Sequence, residues 1–348
     1  INEADSVAFF VGAGVKDARE QVLKLAEKVK APIGHALGGK MYIQYDNPFD
    51  VGMSGLLGYG AAHEATHEAD LLILLGTDFP YNDFLPDANV AQVDINGSHI
   101  GRRTKISYPV TGDVAATIEN ILPHVEEKKD RSFLDKMLKK HYDKLEHVVE
   151  AYTSNVDKHT PIHPEYVADL IDRNADEDAI FTVDTGMCNV WGARYITANG
   201  KREQIGSFRH GTMANALLQA LGAQAANPGR QVITFSGDGG LSMLMGELLT
   251  VKLHNLPIKM FVFNNSSLGM VKLEMLVNGL PDFGTDVHDV NYAGIAEAAG
   301  FHSQRVDDPK QVRQALTDAL EFDGPALVEV LTDPNALSLP PEIKGEQM

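Results

Sequence analysis

The sequence predicts an α/β protein with two doubly wound, mostly parallel sheets. Three observations carry that prediction. Short apolar runs alternate with stretches whose apolar residues recur at helical spacing, the runs end at glycine, aspartate or asparagine, and a charged segment separates two such series. Val7–Val11 is the first strand, entered almost directly from Ile1; because Ile1 is not an initiator residue, the chain is expected to be a piece of a longer protein. Gly12-Ala13-Gly14 follows, then a helix-like stretch from Val15 to Val29, and Ala31-Pro32-Ile33-Gly34 opens another strand. Leu71–Leu75, closed by Gly76, and Val90–Ile95 are the other strands legible in this half, which is read as one domain over residues 1–125. Residues 126–160 read as a charged helical linker, from Glu126-Glu127-Lys128-Lys129-Asp130-Arg131 and the stripe Leu134, Met137, Leu138, Tyr142 and Leu145. A second domain over 161–335 opens at Pro161-Ile162-His163-Pro164, with strands at Ala179–Val183, Val232–Phe235 and Ile258–Phe263; residues 336–348 are an extension.

Composition bounds the function. Asp plus Glu number 48 against 30 Lys plus Arg, a formal charge of −18, which argues against nucleic acid or an acidic membrane as partner for the bulk of the chain. With 348 residues, 44% of them hydrophobic, the chain can supply two cores. Cys188 is the single cysteine, which excludes an internal disulfide and is expected of a reducing cytoplasm. No apolar stretch approaches the ~20 residues of a membrane span, and no signal peptide is visible.

The motif that carries chemistry is Gly237-Asp238-Gly239, at the end of Val232–Phe235, answered by Asn264-Asn265 after Ile258–Phe263. Between them Leu241–Leu253 has helical spacing, so the segment reads as a right-handed βαβ unit that brings Asp238 and Asn265 to one sheet edge. Mg²⁺ takes oxygen ligands, often one or two from protein and the rest from phosphate and water. Asp238 and the Asn265 amide oxygen suit it, while Gly237, Gly239 and Gly240 let backbone N–H groups approach a diphosphate at a helix start. The competing local reading is a hairpin turn at Asp-Gly. In the first half, Gly12-Ala13-Gly14 begins a dinucleotide fingerprint but Asp17 stands where a third small residue belongs, so a phosphate loop and a plain tight turn both remain open.

Gly-Asp-Gly, 24 intervening residues (240–263) and Asn-Asn resemble the cofactor signature of thiamine diphosphate enzymes. Gly206–Ala214, Asp238–Gly246 and Asn264–Met270 look like the pyruvate oxidase branch, the quinone-linked pyruvate dehydrogenases in particular. The resemblance implies a Rossmann-like FAD domain followed by a domain that binds the diphosphate of thiamine diphosphate. It implies Asp238, Asn265 and the Ser267 carbonyl as Mg²⁺ ligands, Met213 as the wedge that bends the cofactor, and the Gly211 carbonyl as acceptor for its amino group. Thr185, Thr212, Gly239, Gly240, Ser266, Leu268 and Gly269 are expected beside the cofactor; Met270, Val271, Glu274 and His210 are expected near the reacting carbon. Core packing for Met213, a solvated helix position for Glu274 and a loop hydrogen bond for His210 are the plainer alternatives. FAD is expected at Met53, Ser54, Gly55 and Leu56, at Gly76, Thr77, Asp78, Phe79 and Pro80, and at Asp94, which otherwise serves as a helix or turn cap.

The implied activity is oxidative decarboxylation of pyruvate to acetate and CO₂, with electrons passing through FAD to a membrane quinone. Alternatives are an oxygen-using pyruvate oxidase, an acetolactate synthase that keeps FAD without redox cycling, or a non-catalytic cofactor-binding fragment. The implied setting is a cytoplasmic homo-oligomer, a dimer of dimers, reaching the membrane's inner face only through a tail beyond Met348. The amino-terminal domain that carries the family's catalytic glutamate has no counterpart in these residues, so this chain alone is expected to be inactive.

Overall fold

The computed structural model describes residues 1–87, 89–148, 152–154, 156 and 159–337. It divides into two compact units, Ile1–Val148 with Ala198–Gly200, and Val149–Thr197 with Lys201–Met348.

Unit 1 holds a seven-stranded sheet of β1 (Val7–Val11), β2 (Ile33–His35), β3 (Asp50–Met53), β4 (Tyr59–Gly60), β5 (Leu71–Leu75), β6 (Val90–Asp94) and β7 (Tyr108–Thr111). The order is β4-β3-β2-β1-β5-β6-β7, parallel throughout except for β3 against β4. The central pair, β1 and β5, is buried at every residue, as continuous Val, Phe, Leu and Ile runs must be when helices cover both faces. By contrast β7 is exposed along its length and carries Pro109, which an edge strand tolerates. The helix expected from Val15 begins only at Arg19 and runs to Val29, burying Val22, Leu25, Ala26 and Val29; a tight turn at Ala13–Val15 precedes it. That turn is fixed by backbone contact. The Gly12 N–H donates to the Leu75 carbonyl at 3.1 Å and the Gly14 N–H to the Gly76 carbonyl at 3.0 Å, and a Cβ on Gly14 would stand 2.7 Å from the Gly76 Cα. Both glycine donors are consumed by the Leu75 and Gly76 carbonyls.

The stretch read as a linker is mostly the helix Ser132–Val148, and it belongs to unit 1. Leu134 and Met137 are buried, and Lys136 and Lys140 pair with Glu68 while Lys144 pairs with Glu64. Tyr142 of the expected stripe is exposed.

Unit 2 holds a six-stranded, wholly parallel sheet of β8 (Ile180–Val183), β9 (Glu203–Gly206), β10 (Val232–Gly237), β11 (Lys259–Asn264), β12 (His302–Val306) and β13 (Ala326–Leu331), in the order β12-β13-β11-β10-β8-β9. The chain runs outward from β8 to β9, then returns to lay β10 on the other side of β8. The strand order therefore reverses between β8 and β10, and the carboxyl ends of such a pair form the crevice where doubly wound folds take ligands. The helix expected over Leu241–Leu253 is broken into Asp238–Leu244, a tight turn at Met245–Glu247 and Leu248–Leu253. Gly246, a poor helix residue, sits at the break. Leu241, Leu248 and Val251 reach the core formed with Val232, Met260 and Val262, whereas Met243, Leu244, Leu249 and Leu253 are exposed. Among the described residues no helix is long and apolar enough to cross a membrane.

Candidate functional site

The parallel pairing of β10 with β11, Gly237 opposite Phe263, excludes the hairpin reading and brings Asp238 and Asn265 to the same edge. Asp238 is the first residue of its helix and is 2% exposed. Burial pushes its carboxyl up to about 6, with the neighbouring Glu329 charge adding and the N–H groups of Gly239 and Ser266 opposing. Asp238 Oδ2 and Ser267 Oγ are buried without a hydrogen-bond partner. Buried polar atoms are rarely left so, and an orphaned carboxylate oxygen beside an amide and a carbonyl is the donor set a hard divalent cation takes.

The Asn264-Asn265 loop is held from several sides. Asn265 Oδ1 accepts the Ser267 N–H at 3.1 Å. The Leu268 N–H donates to the Thr285 carbonyl at 2.7 Å, and the Val287 N–H to the Ser266 carbonyl at 2.9 Å. Ser266 takes a left-handed backbone with φ of 51°.

The glycines are needed by close approach. A Cβ on Gly239 would stand 2.6 Å from Leu268 Cδ2, and one on Gly240 would stand 2.0 Å from Asp184 Oδ2. Asp184, at the end of β8, is itself buried and pushed up to about 6, against the N–H groups of Asn215 and Thr185 that it accepts at 3.1 and 2.9 Å. Cys188 Sγ donates to the Asp184 carbonyl at 3.3 Å, and burial pushes the thiol up, so it stays protonated.

A cleft of about 230 Å³ opens here. Asp238, Gly239, Gly240, Asn265 and Ser267 form one wall, and Leu268, Gly269, Met270, Val271 and Glu274 another. Thr185, Gly211 and Met213 complete the expected set. His210 and Thr212 are exposed and do not line the cleft, and Ser266 contributes backbone geometry from behind it. Sequence reasoning missed Met187, Cys188 and Trp191, on the helix Met187–Tyr195, and Phe263, Thr332 and Asp333. The signal for the first three was their place one turn after Asp184-Thr185-Gly186.

In unit 1 the residues expected to hold FAD follow β3, β5 and β6, whose carboxyl ends share one edge of the sheet. Several of their polar groups are already engaged. Asp94 accepts the Asn96 N–H at 2.8 Å and lies 3.4 Å from His99. Asp78 pairs with Arg102 at 2.8 Å and Arg103 at 3.2 Å, and Phe79 packs edge-on against Phe10. Ser54 Oγ is buried without a partner, while Pro80 is exposed.

Two domain families match this architecture: residues 1–121 match the thiamine pyrophosphate enzyme central domain, and residues 184–330 the C-terminal TPP binding domain of the same enzymes. The chain belongs to the thiamine pyrophosphate enzymes, of which it carries the central and C-terminal domains. It is similar to the Bacillus subtilis protein YdaP, whose name calls it thiamine pyrophosphate-containing, with 35% identity over 95% of this chain and 57% of YdaP. It is also similar to the large subunit of acetolactate synthase isozyme 1 of Escherichia coli, 28% identical over 96% of this chain and 59% of that subunit, and to chloroplastic acetolactate synthase 1 of maize, 28% over 95% and 54%. The chain thus spans a little over half the length of these curated relatives. Their names favour the synthase alternative over the quinone-linked reading and single out no pyruvate oxidase branch.

Proposed function

We propose that this chain supplies the cation- and diphosphate-binding half of a thiamine diphosphate enzyme that decarboxylates pyruvate and joins the remaining two-carbon unit to a second 2-oxo acid, as an acetolactate synthase does. The observation that carries its binding half is the buried, unpartnered Oδ2 of Asp238 at the β8/β10 reversal, beside Gly239 and Gly240, where a Cβ would run into Leu268 and Asp184. Asp238, Asn265 and the Ser267 carbonyl would hold Mg²⁺, and the backbone at Gly239 and Gly240 would take the diphosphate. When bound, thiamine diphosphate supplies the acidic thiazolium carbon that attacks a 2-oxo acid. Met213 is half-buried in the cleft wall, where it would pack against the bound cofactor, and Trp191, Phe263 and Met270 line the same cleft and would exclude water from it.

A second reading, pyruvate oxidation to acetate with electrons leaving through a flavin to a quinone, draws on Glu274, an exposed residue that lines the cleft. Under anaerobic conditions the full-length protein should convert pyruvate to acetolactate and CO₂ without bleaching a flavin. Acetate formation with reduction of a quinone analogue would reverse the order of the two readings. For the binding half, thiamine diphosphate plus Mg²⁺ at a hundred times Kd should stabilise the chain by about 2.7 kcal/mol, and Asp238→Ala should abolish that shift. An unchanged shift in the variant removes the cation assignment.

A further inference from the structure

Behind the cleft lies a carboxylate in an otherwise apolar strand. Glu329 sits within Ala-Leu-Val-Glu-Val-Leu of β13 and is fully buried, in register with Val262 of β11 and Arg305 of β12. Its Oε1 accepts from Asn264 Nδ2 at 2.7 Å, with Arg305 Nε 3.4 Å away. Its Oε2 accepts the Ala293 N–H at 2.9 Å, at the start of the helix Tyr292–Ala298. Asn264, so oriented, offers Oδ1 to the Ser266 N–H at 3.0 Å and to the Ser266 hydroxyl at 3.3 Å. Those bonds hold the left-handed backbone of Ser266, which a side chain adopts only when its surroundings over-determine it. Asn265 and Ser267 flank that residue.

Stability alone does not call for this acid. A valine or leucine would suit the strand, and an ionised carboxylate is buried at a cost unless every lone pair finds a donor. Resting on the reading of Asp238, Asn265 and Ser267 as cation ligands, we propose that Glu329 is the positioning residue of the metal loop: through Asn264 it sets the backbone that offers Asn265 and Ser267 to a divalent cation, and it adds a buried negative charge behind Asp238. Groups that orient metal ligands from behind carry about 10- to 100-fold of metal affinity.

The probe is Mn²⁺ with saturating thiamine diphosphate, bound to the full chain and read by electron paramagnetic resonance. Glu329→Gln keeps the side-chain volume but turns one acceptor into a donor facing the Asn264 amide or the Ala293 N–H. It should weaken Mn²⁺ affinity at least tenfold, and excess Mn²⁺ should restore the full complement of bound thiamine diphosphate, a rescue that a general folding defect would not allow. Asn264→Ala severs the same link while leaving Glu329 in place, and should weaken Mn²⁺ in the same way. Mn²⁺ affinity equal to that of the unaltered chain in both variants overturns the proposal and leaves the cation site standing. No Mn²⁺ binding by the unaltered, folded chain, or full binding by Asp238→Ala, removes the cation site and the proposal with it.

Discussion

Gly240→Ala should cost unit 2 about 2.5–6 kcal/mol, from overpacking of about 1–3 kcal/mol and the loss of a hydrogen bond to a charged group at about 1.5–3 kcal/mol. The added methyl would stand 2.0 Å from Asp184 Oδ2 and 2.8 Å from Asp184 Cγ, well inside contact distance. Asp184 has little room to yield: its other oxygen is held by the Thr185 and Asn215 N–H groups, and the residue is buried at the end of β8. Each kcal/mol shifts the melting temperature of a domain this size by about 2–4 °C, so a fall of roughly 10 °C is expected. Trp191 is the only tryptophan and is buried in unit 2, so its fluorescence follows this unit separately from unit 1. Gly222→Ala is the matched comparison, in the middle of the helix Asn215–Ala226 with nothing within 4 Å of the added Cβ. It should gain about 0.5–1 kcal/mol from helix propensity alone. If Gly240→Ala melts within about 2 °C of the unaltered chain, the close approach of the glycine helix start to Asp184 is wrong.

Unit 1 should lose stability on acidification. Burial lowers His35 to about 3 and His141 to about 4 from 6.5, so below 6.5 the unfolded chain takes up two protons that the fold refuses. Burial also raises Asp50 to about 7, so the folded unit takes up one proton that the unfolded chain refuses, offsetting one of the two. The remaining proton costs about 1 kcal/mol per pH unit between roughly pH 6 and 4; backbone amide exchange in β1 and β5 measures it, and protection that stays level or rises across that range would contradict the burial argument. Asp94→Ala should weaken retention of a flavin by the full-length protein while sparing thiamine diphosphate, because the carboxylate closes β6 at the edge where β5 also ends. Dialysed variant that keeps a full complement of yellow cofactor would take Asp94 out of any flavin site.

The strands legible in the sequence were those buried on both faces. Val7–Val11 and Leu71–Leu75 announce themselves as unbroken apolar runs and Ile258–Phe263 as one interrupted only by Lys259, whereas β7, β9 and β12 carry half-exposed or exposed residues and no such run. The meeting of Asp238 and Asn265 was legible because a βαβ crossover has one handedness, which places the ends of two parallel strands together without any knowledge of the rest of the chain. Thr332 and Asp333 reach the same cleft from a segment distant in sequence, and no local pattern encodes that meeting. Glu329 did leave a trace, a lone acid inside a strand of alanine, leucine and valine, which is a buried-polar signal. The break at Gly246 and the packing of residues 132–148 onto unit 1 depend on tertiary contacts, which override helical periodicity.

The interlocked turns at Gly12–Gly14 and Gly76 restrict what can be engineered at that edge of the first sheet. Positions 14 and 76 face each other backbone to backbone, so a side chain added at either must displace the other, and a single substitution that grafts a new specificity there is sterically foreclosed. Ala13, Lys16 and Asp17 are exposed on the same turn, so a library aimed at this edge should vary those three and leave the glycines fixed.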